Sequence, residues 1–318
     1  MSSKSISKNP LAIPAFSGSS RIGIVTVLFN SSSVLPGFIS SLERQDFKDF
    51  HVWAVDNASS DDSVAVCRAQ GDRCTVIANE TNIGVAAGNN QGIHAALDAS
   101  CEYVLLINND VEFGSQLLSQ LMEGLATNRC QMTAPIMYYF DRPNLIWAAG
   151  GRFQPIFGYR CYHLAEGIED VGQFNDARRI QHAPTCCVLF SRSVFDAVGF
   201  MDERYFVYHD DTDFMLRCFK ANQRLYLLPN AKLLHKVSSL TGGAESEFSV
   251  RMGTRNRTYM LSKFLGRILA SPYVAGLALV YLLRRLLGQY DRERYLLKLR
   301  SLRQGFGMAT NWLPFRPR

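Results

Sequence analysis

The chain has 318 residues, 47% apolar and 19% charged, which suits a folded α/β enzyme with a substantial core and excludes a disordered protein. Its net charge of +6 is uneven: from residue 255 onward 13 Lys/Arg stand against two Asp/Glu, a net of +11 that leaves −5 for the rest. The basic end suits an anionic surface, membrane phospholipid ahead of nucleic acid, while the acidic body has the groups a cation needs.

Residues 1–20 are rich in Ser with scattered Pro and read as a flexible leader; they carry neither an unbroken apolar run nor a small-residue cleavage site, so no secretory signal is expected. The eight cysteines show no CxxC pair, and reduced thiols in a cytoplasmic protein are the expectation. IGIVTVLF (22–29) is the apolar, β-branched run of a buried parallel strand. A helix follows it, with Ser33 as cap and Pro36 in its first turn. HVWAVDNASSDDS repeats the pattern, with Ser60 or Asp61 capping a second helix. TVIAN with the helix after TNIGVAAGNN forms a third unit, and YVLLIN a fourth strand. Four such alternations predict an open, mostly parallel, doubly wound sheet with helices on both faces.

Beyond residue 135 the rhythm weakens. IWAAGGRF, TCCVLFS and RLYLLPN read as strands, 210–221 as a helix, and 154–180 as one long loop or lid. Residues 268–283 are apolar for 16 positions, broken by Pro272 and flanked by Arg267 and Arg284-Arg285. That is short of the roughly 20 residues of a membrane-spanning helix. The basic helical extension 263–318 is read either as an interfacial helix pair on anionic membrane or as a hairpin packed on the main domain.

Polar residues gather at the carboxyl ends of the predicted strands, where open α/β sheets bind ligands: Asn30, Asp56-Asn57, Asn79 and Asn108-Asn109-Asp110. Asp56 either shapes a turn or accepts from a ribose hydroxyl or pyrimidine N–H. The loop carrying Asn82, Gly84 and Asn89 is not a P-loop; its glycines either tighten a helix start or bring the helix N-terminus to a nucleotide. Asp110 follows a buried strand and has little packing purpose there, so it is the candidate ligand for Mg2+ or Mn2+, with Asn108 beside it. Asp210, Asp211 and Asp213 crowd a helix start; Asp213 suits the helix dipole and Asp211 a general base, and crowding of carboxylates is expected to raise one pKa of the three. His235 is a candidate second metal ligand, and Arg255 a candidate partner of a diphosphate.

The order VTVLFN, VDNASSDDS, NETNIGVAAGNNQGI, VLLINNDV, WAAGGRF, the block from Thr185 to Arg217 and GTRNRTYML resembles the family 2 glycosyltransferases of GT-A fold, in their rhamnosyltransferase-like branch, over about 21–261. The resemblance implies a domain over 21–262, with a nucleotide-sugar half to about 135 and an acceptor half after it. It implies inverting transfer from a dTDP- or UDP-linked sugar to a glycan or lipid-linked saccharide, with Mg2+ or Mn2+. It places Asp56 at the nucleoside, Asp110 at the metal and Asp211 as base; Asn30, Asn57, Asn82, Gly84, Asn89, Asn108, Asn109, Asp210 and Arg255 are the further candidates for the donor site, and His235 for the metal site. Asp210 stands where the family usually has Glu, and Asn108 where its metal motif often has Asp. A silent sugar-nucleotide binder remains as an alternative, and a nucleotidyltransferase as a weaker one, since FNSSS (29–33) lacks the basic Gly-rich loop that reaction needs.

Overall fold

The computed structural model describes residues 21–237 and 246–310. The leader expected over 1–20 and the last part of the extension, 311–318, lie outside the described residues. The first half alternates as the sequence predicts: β1 (Ile22–Leu28), α1 (Leu35–Glu43), β2 (Phe50–Asp56), α2 (Ser63–Arg68), β3 (Cys74–Ala78), α3 (Val85–Asp98) and β4 (Tyr103–Ile107). β1 pairs in parallel with β2 and with β4, and β2 with β3. Ile24 and Leu28 are buried on one face of β1 and Val25 on the other, which is why the strand reads as a continuous apolar run.

Of the two expected caps, one is absent. α1 starts at Leu35 with Pro in its first turn, but Ser33 does not cap it. Asp61 does accept from the first amide of α2, at Ser63, and also from the Ser32 amide, so it ties the loops after β1 and β2 together.

The second half holds β5 (Val111–Phe113), α4 (Leu117–Thr127), β6 (Met132–Tyr139), β7 (Arg142–Ala148), β8 (Gly151–Gln154), β9 (Arg160–His163), β10 (Arg178–Ile180), β11 (Cys187–Ser191), α5 (Arg192–Val198), α6 (Asp210–Lys220) and β12 (Leu225–His235). Among the described residues the sheet runs β10-β12-β6-β11-β4-β1-β2-β3. β11 inserts antiparallel between β4 and β6, so the sheet is parallel from β3 to β4 and mixed beyond. The segment expected as one long loop contains β9 and β10, and β8 with β9 forms a hairpin of its own. Its polar, aromatic composition conceals strands of three and four residues.

Helices cover both faces. Ile93 of α3 and Phe214 of α6 bury one side, and Phe38 of α1 and Leu121 of α4 the other. Then comes the extension, α7 (Glu247–Leu286) and α8 (Arg292–Met308). α7 is broken at Gly266, whose φ of 75° lies in the left-handed region. α8 returns along α7: a Cβ on Gly305 would fall on the Arg255 carbonyl. The extension is therefore a helical hairpin, and its outer part leaves Ile268, Leu279, Leu283, Leu286 and Leu287 exposed.

Candidate active site

The carboxyl ends of β1, β2 and β4 form one polar edge. Asn30, with φ of 51°, accepts from the amide of Ser60 at 2.8 Å, and its own amide donates to Ser59 Oγ at 2.9 Å. These bonds clasp the loops that follow β1 and β2. Asp56 ends β2 and is 3% exposed. Its Oδ2 accepts from the Ser59 amide at 3.0 Å, whereas its buried Oδ1 has no hydrogen-bond partner among the described residues. A buried carboxylate oxygen without a donor is rare in folded proteins and marks a place where a ligand donor fits. Asn57 donates to the Gly84 carbonyl at 3.1 Å and accepts from Asn79, so it positions the glycine loop.

That loop works differently from one of its sequence readings. Asn82 accepts from the Gly84 amide at 2.9 Å, and the first amide of α3, at Val85, donates to the Phe206 carbonyl at 2.6 Å. The helix start expected to face a nucleotide is thus partly closed by the chain preceding α6. Gly84 has φ of 89°, and a Cβ there would come within 2.6 Å of the Phe206 ring and carbonyl, so only glycine permits the closure. Gly92 serves packing: a Cβ would lie 2.3 Å from Val25. Asn89 is buried on α3.

After β4, Asn108 is exposed and Asn109 is buried. Asn109, expected at the donor, donates to the Val27 carbonyl at 2.7 Å and braces β1 against β4. Asp110 is 7% exposed, and its Oδ1 lies 3.2 Å from His235 Nε2 at the end of β12. β5 positions the pair by pairing with β12 in a register that sets Val111 opposite His235. Burial opposes a charge on His235, but Cys186 and Asp110 outweigh it and raise the imidazole to about 10. Two residues 125 positions apart in sequence therefore present an oxygen and a nitrogen at one buried point.

The acidic turn separates by role. Asp213, fully buried, accepts from Tyr205 Oη at 2.9 Å, Lys263 Nζ at 2.6 Å and Arg217 Nε at 2.9 Å. It is scaffold, joined through Lys263 to Asp202. Asp211 accepts through Oδ1 from the Thr212 amide and hydroxyl, bonds that leave its Oδ2 out. Burial, and then the charge of Asp211, push the Asp210 carboxyl up to about 8.

Arg255, expected at a diphosphate, donates to the Tyr205 carbonyl at 2.7 Å and so braces the turn before α6. Its neighbour Asn256, which the sequence reading passed over, donates to the carbonyls of Tyr205, Val207 and Tyr208. Asn90, also unremarked, exchanges bonds with Met201 and donates to Glu203, fastening α3 to the same turn. A polar residue on a helix between two arginines gave the only hint of Asn256. A cleft of about 520 Å³ lined by Arg44, Tyr138, Asp170 and Lys232 holds none of these groups, so its size gives it no claim on the chemistry.

An open α/β sheet with an Asp at the end of β2, an Asp–His pair after β4 and an acidic turn opening α6 defines a GT-A-type enzyme. The model of glycosyl transferase family 2 matches residues 23–199, more than half of the chain, and the protein belongs to that family. It is 25% identical over 219 residues to the low-salt glycan biosynthesis hexosyltransferase Agl10 of Haloferax volcanii, covering 67% of this chain and 69% of that one. It is 24% identical over 222 residues to the dTDP-rhamnosyl transferase RfbF of Shigella flexneri (69% and 70%). It is 25% identical over 241 residues to an N-acetylglucosaminyl-diphospho-decaprenol L-rhamnosyltransferase of Mycobacterium tuberculosis (69% and 77%). These relatives support the rhamnosyltransferase-like branch. Among solved structures, GalNAc-T7 with UDP, GalNAc and Mn2+ shares the fold at a TM-score of 0.62 and 11% identity, over 92% of this chain and 57% of that one. S. aureus TarS shares it at 0.52 and 15%, over 76% and 42%. The chain thus spans under two thirds of both structures.

Proposed function

We propose that this transferase moves a sugar, rhamnose being the leading candidate, from a dTDP- or UDP-linked donor to a hydroxyl of a glycan or lipid-linked saccharide, with inversion at the anomeric carbon. The observation that carries this reading is the buried Oδ1 of Asp56 at the end of β2, which has no hydrogen-bond partner among the described residues. A pyrimidine N–H or ribose hydroxyl satisfies it. The Asp110–His235 pair lies beyond the end of β4, two strand spacings or about 10 Å away across the sheet, a span on the scale of one nucleoside diphosphate.

The pair fits a divalent ion: both ligand atoms are buried and converge, and mixing imidazole with carboxylate favours Mn2+ over Mg2+. Once bound, such an ion supplies charge stabilisation for the departing diphosphate. The rest falls to the chain. Asp56 holds the nucleoside, and Asn30, Asn57 and Asn82 keep the surrounding loops in shape. Asp211 takes the proton of the acceptor hydroxyl as its oxygen bonds to the anomeric carbon and the bond to the diphosphate oxygen breaks. GalNAc-T7 with UDP and Mn2+ has the same fold, and relatives named for lipid-diphosphate acceptors support the acceptor class. A cytoplasmic protein, peripheral on the membrane that carries a lipid-linked acceptor, accords with the exposed apolar face of the hairpin.

Calorimetry with UDP, dTDP and GDP, each with Mn2+ and with EDTA, tests the reading. One nucleotide should bind only with metal and lose at least about tenfold in affinity in Asp110→Ala. Asp211→Asn should keep that binding and lose transfer. Binding without transfer by the unaltered protein for any acceptor would establish the silent-binder alternative, and no binding at all would overturn the donor site.

A further inference from the structure

We propose that Cys161, His163 and His182 form a second metal site, for a borderline transition-metal ion of the Zn2+ class, separate from Asp110 and His235. The ligand atoms of the three residues all lie within 4.8 Å of one another. Tetrahedral Zn2+ ligands at 2.0–2.3 Å from the ion stand roughly 3.3–3.8 Å apart, so small rotamer adjustments close the site. His182 is 1% exposed, and neither of its ring nitrogens has a hydrogen-bond partner among the described residues. Nδ1 of His163 is buried and partnerless as well. Folded proteins seldom leave three such nitrogens unsatisfied in one place, and a metal ion takes one nitrogen from each histidine together with the thiol.

The backbone brings the three together. Cys161 and His163 alternate by two on β9 and so lie on one face of the β8–β9 hairpin. His182 joins that hairpin through its amide, which donates to the Gly151 carbonyl at 3.2 Å. Gly151 provides the space: a Cβ there would stand 2.9 Å from Cys161 Sγ and 3.4 Å from His182 Nδ1. The two imidazole rings lie 5.4 Å apart, centroid to centroid, at 83°.

Sulfur with two imidazoles selects Zn2+ over the hard cations that suit a diphosphate. Three protein ligands leave a fourth position open. Phe153 of β8 packs on Phe219 of α6 with ring centroids 6.0 Å apart, so the hairpin that holds the ion adjoins the helix that carries the proposed base. On binding, the Cys161 thiol releases its proton to solvent and becomes a thiolate ligand. The ion then fastens the β8–β9 hairpin beside α6.

The test uses the full-length protein with Zn2+ and Co2+ as probes. One Zn2+ per chain should survive dialysis, and Co2+ should give a thiolate charge-transfer band with visible bands of tetrahedral intensity. Loss of an outer partner of a metal ligand typically weakens binding 10–100-fold, so removing a direct ligand should cost at least about 100-fold. Cys161→Ser should show that loss together with loss of the charge-transfer band. His163→Gln, at a half-buried position that the fold tolerates more readily, should show the same loss of affinity with unchanged far-ultraviolet dichroism. Asp110→Ala and Cys74→Ser should keep the band. Absence of stoichiometric Zn2+ in the unaltered protein, a band persisting in Cys161→Ser, or a band lost in Asp110→Ala would overturn the proposal.

Discussion

At the scale of single residues, the three aspartates opening α6 show how burial and partners divide one motif. Asp213 is surrounded by Tyr205, Lys263 and Arg217, and removing one member of such a buried ionic group costs about 3–5 kcal/mol. Among the described residues Asp210 has no such cation in hydrogen-bond contact, and burial with the nearby charge of Asp211 raises it to about 8. An unfolded Asp ionises near 3.9. The stabilisation from this raised pKa is therefore complete below about pH 3.9 and is lost progressively as pH rises through about 8. Asp210→Asn cannot ionise and escapes that loss. Its melting temperature relative to the unaltered protein should climb between pH 4 and pH 8 and level off above. Parallel melting curves across that range would mean that Asp210 ionises as an ordinary carboxyl.

At the scale of elements, α7 acts as a clamp on the turn that delivers α6. Phe206, Tyr208 and His209 all have φ near +65°, a conformation that non-glycine residues adopt only under tertiary constraint. Asn256 supplies much of that constraint by donating to three carbonyls of the turn, and Arg255 adds a fourth contact. Asn256→Ala leaves those carbonyls without their donor, and unfolding in urea should register a loss of about 1–3 kcal/mol. Turnover should fall more than donor affinity, because the turn leads into Asp211 rather than Asp56. Unchanged stability would show that other donors take over the carbonyls.

At the scale of the whole molecule, the parallel edge carries the proposed donor-binding groups, the mixed half carries the acidic turn, and the hairpin extends from it. α7 is long and apolar enough to cross a membrane by length and composition, and only 11% of its most apolar window is buried. Yet it is kinked at Gly266, and α8 doubles back along it with Arg292, Arg294 and Lys298. A basic, amphipathic hairpin with exposed leucines is suited to lying in an anionic interface, where each nearby Lys or Arg adds about 1 kcal/mol. Cosedimentation with vesicles containing phosphatidylglycerol should capture the protein and weaken as salt rises. The triple variant Leu283→Glu, Leu286→Glu, Leu287→Glu should reduce capture at least about tenfold. Failure of the unaltered protein to bind such vesicles would remove the membrane from the functional reading.

What the sequence by itself determined is what short-range periodicity and strand ends encode. Apolar runs placed β1 to β4, and the polar residues just past them picked out Asp56 and Asp110, because a parallel sheet gathers its strand ends at one edge. Composition alone marked the basic, apolar extension. Tertiary structure decided which polar groups face inward to the scaffold: Asn109 to β1, Arg255 and Asn256 to the turn before α6, Asp213 to Lys263. It also decided that Val85 is closed by Phe206, that His235 meets Asp110, and that Cys161, His163 and His182 share one point. Apart from Cys161 and His163, which share β9, those pairings join residues from 19 to 125 positions apart in different elements. Their partners are set by how the hairpins and the sheet register fold back, which no local pattern records.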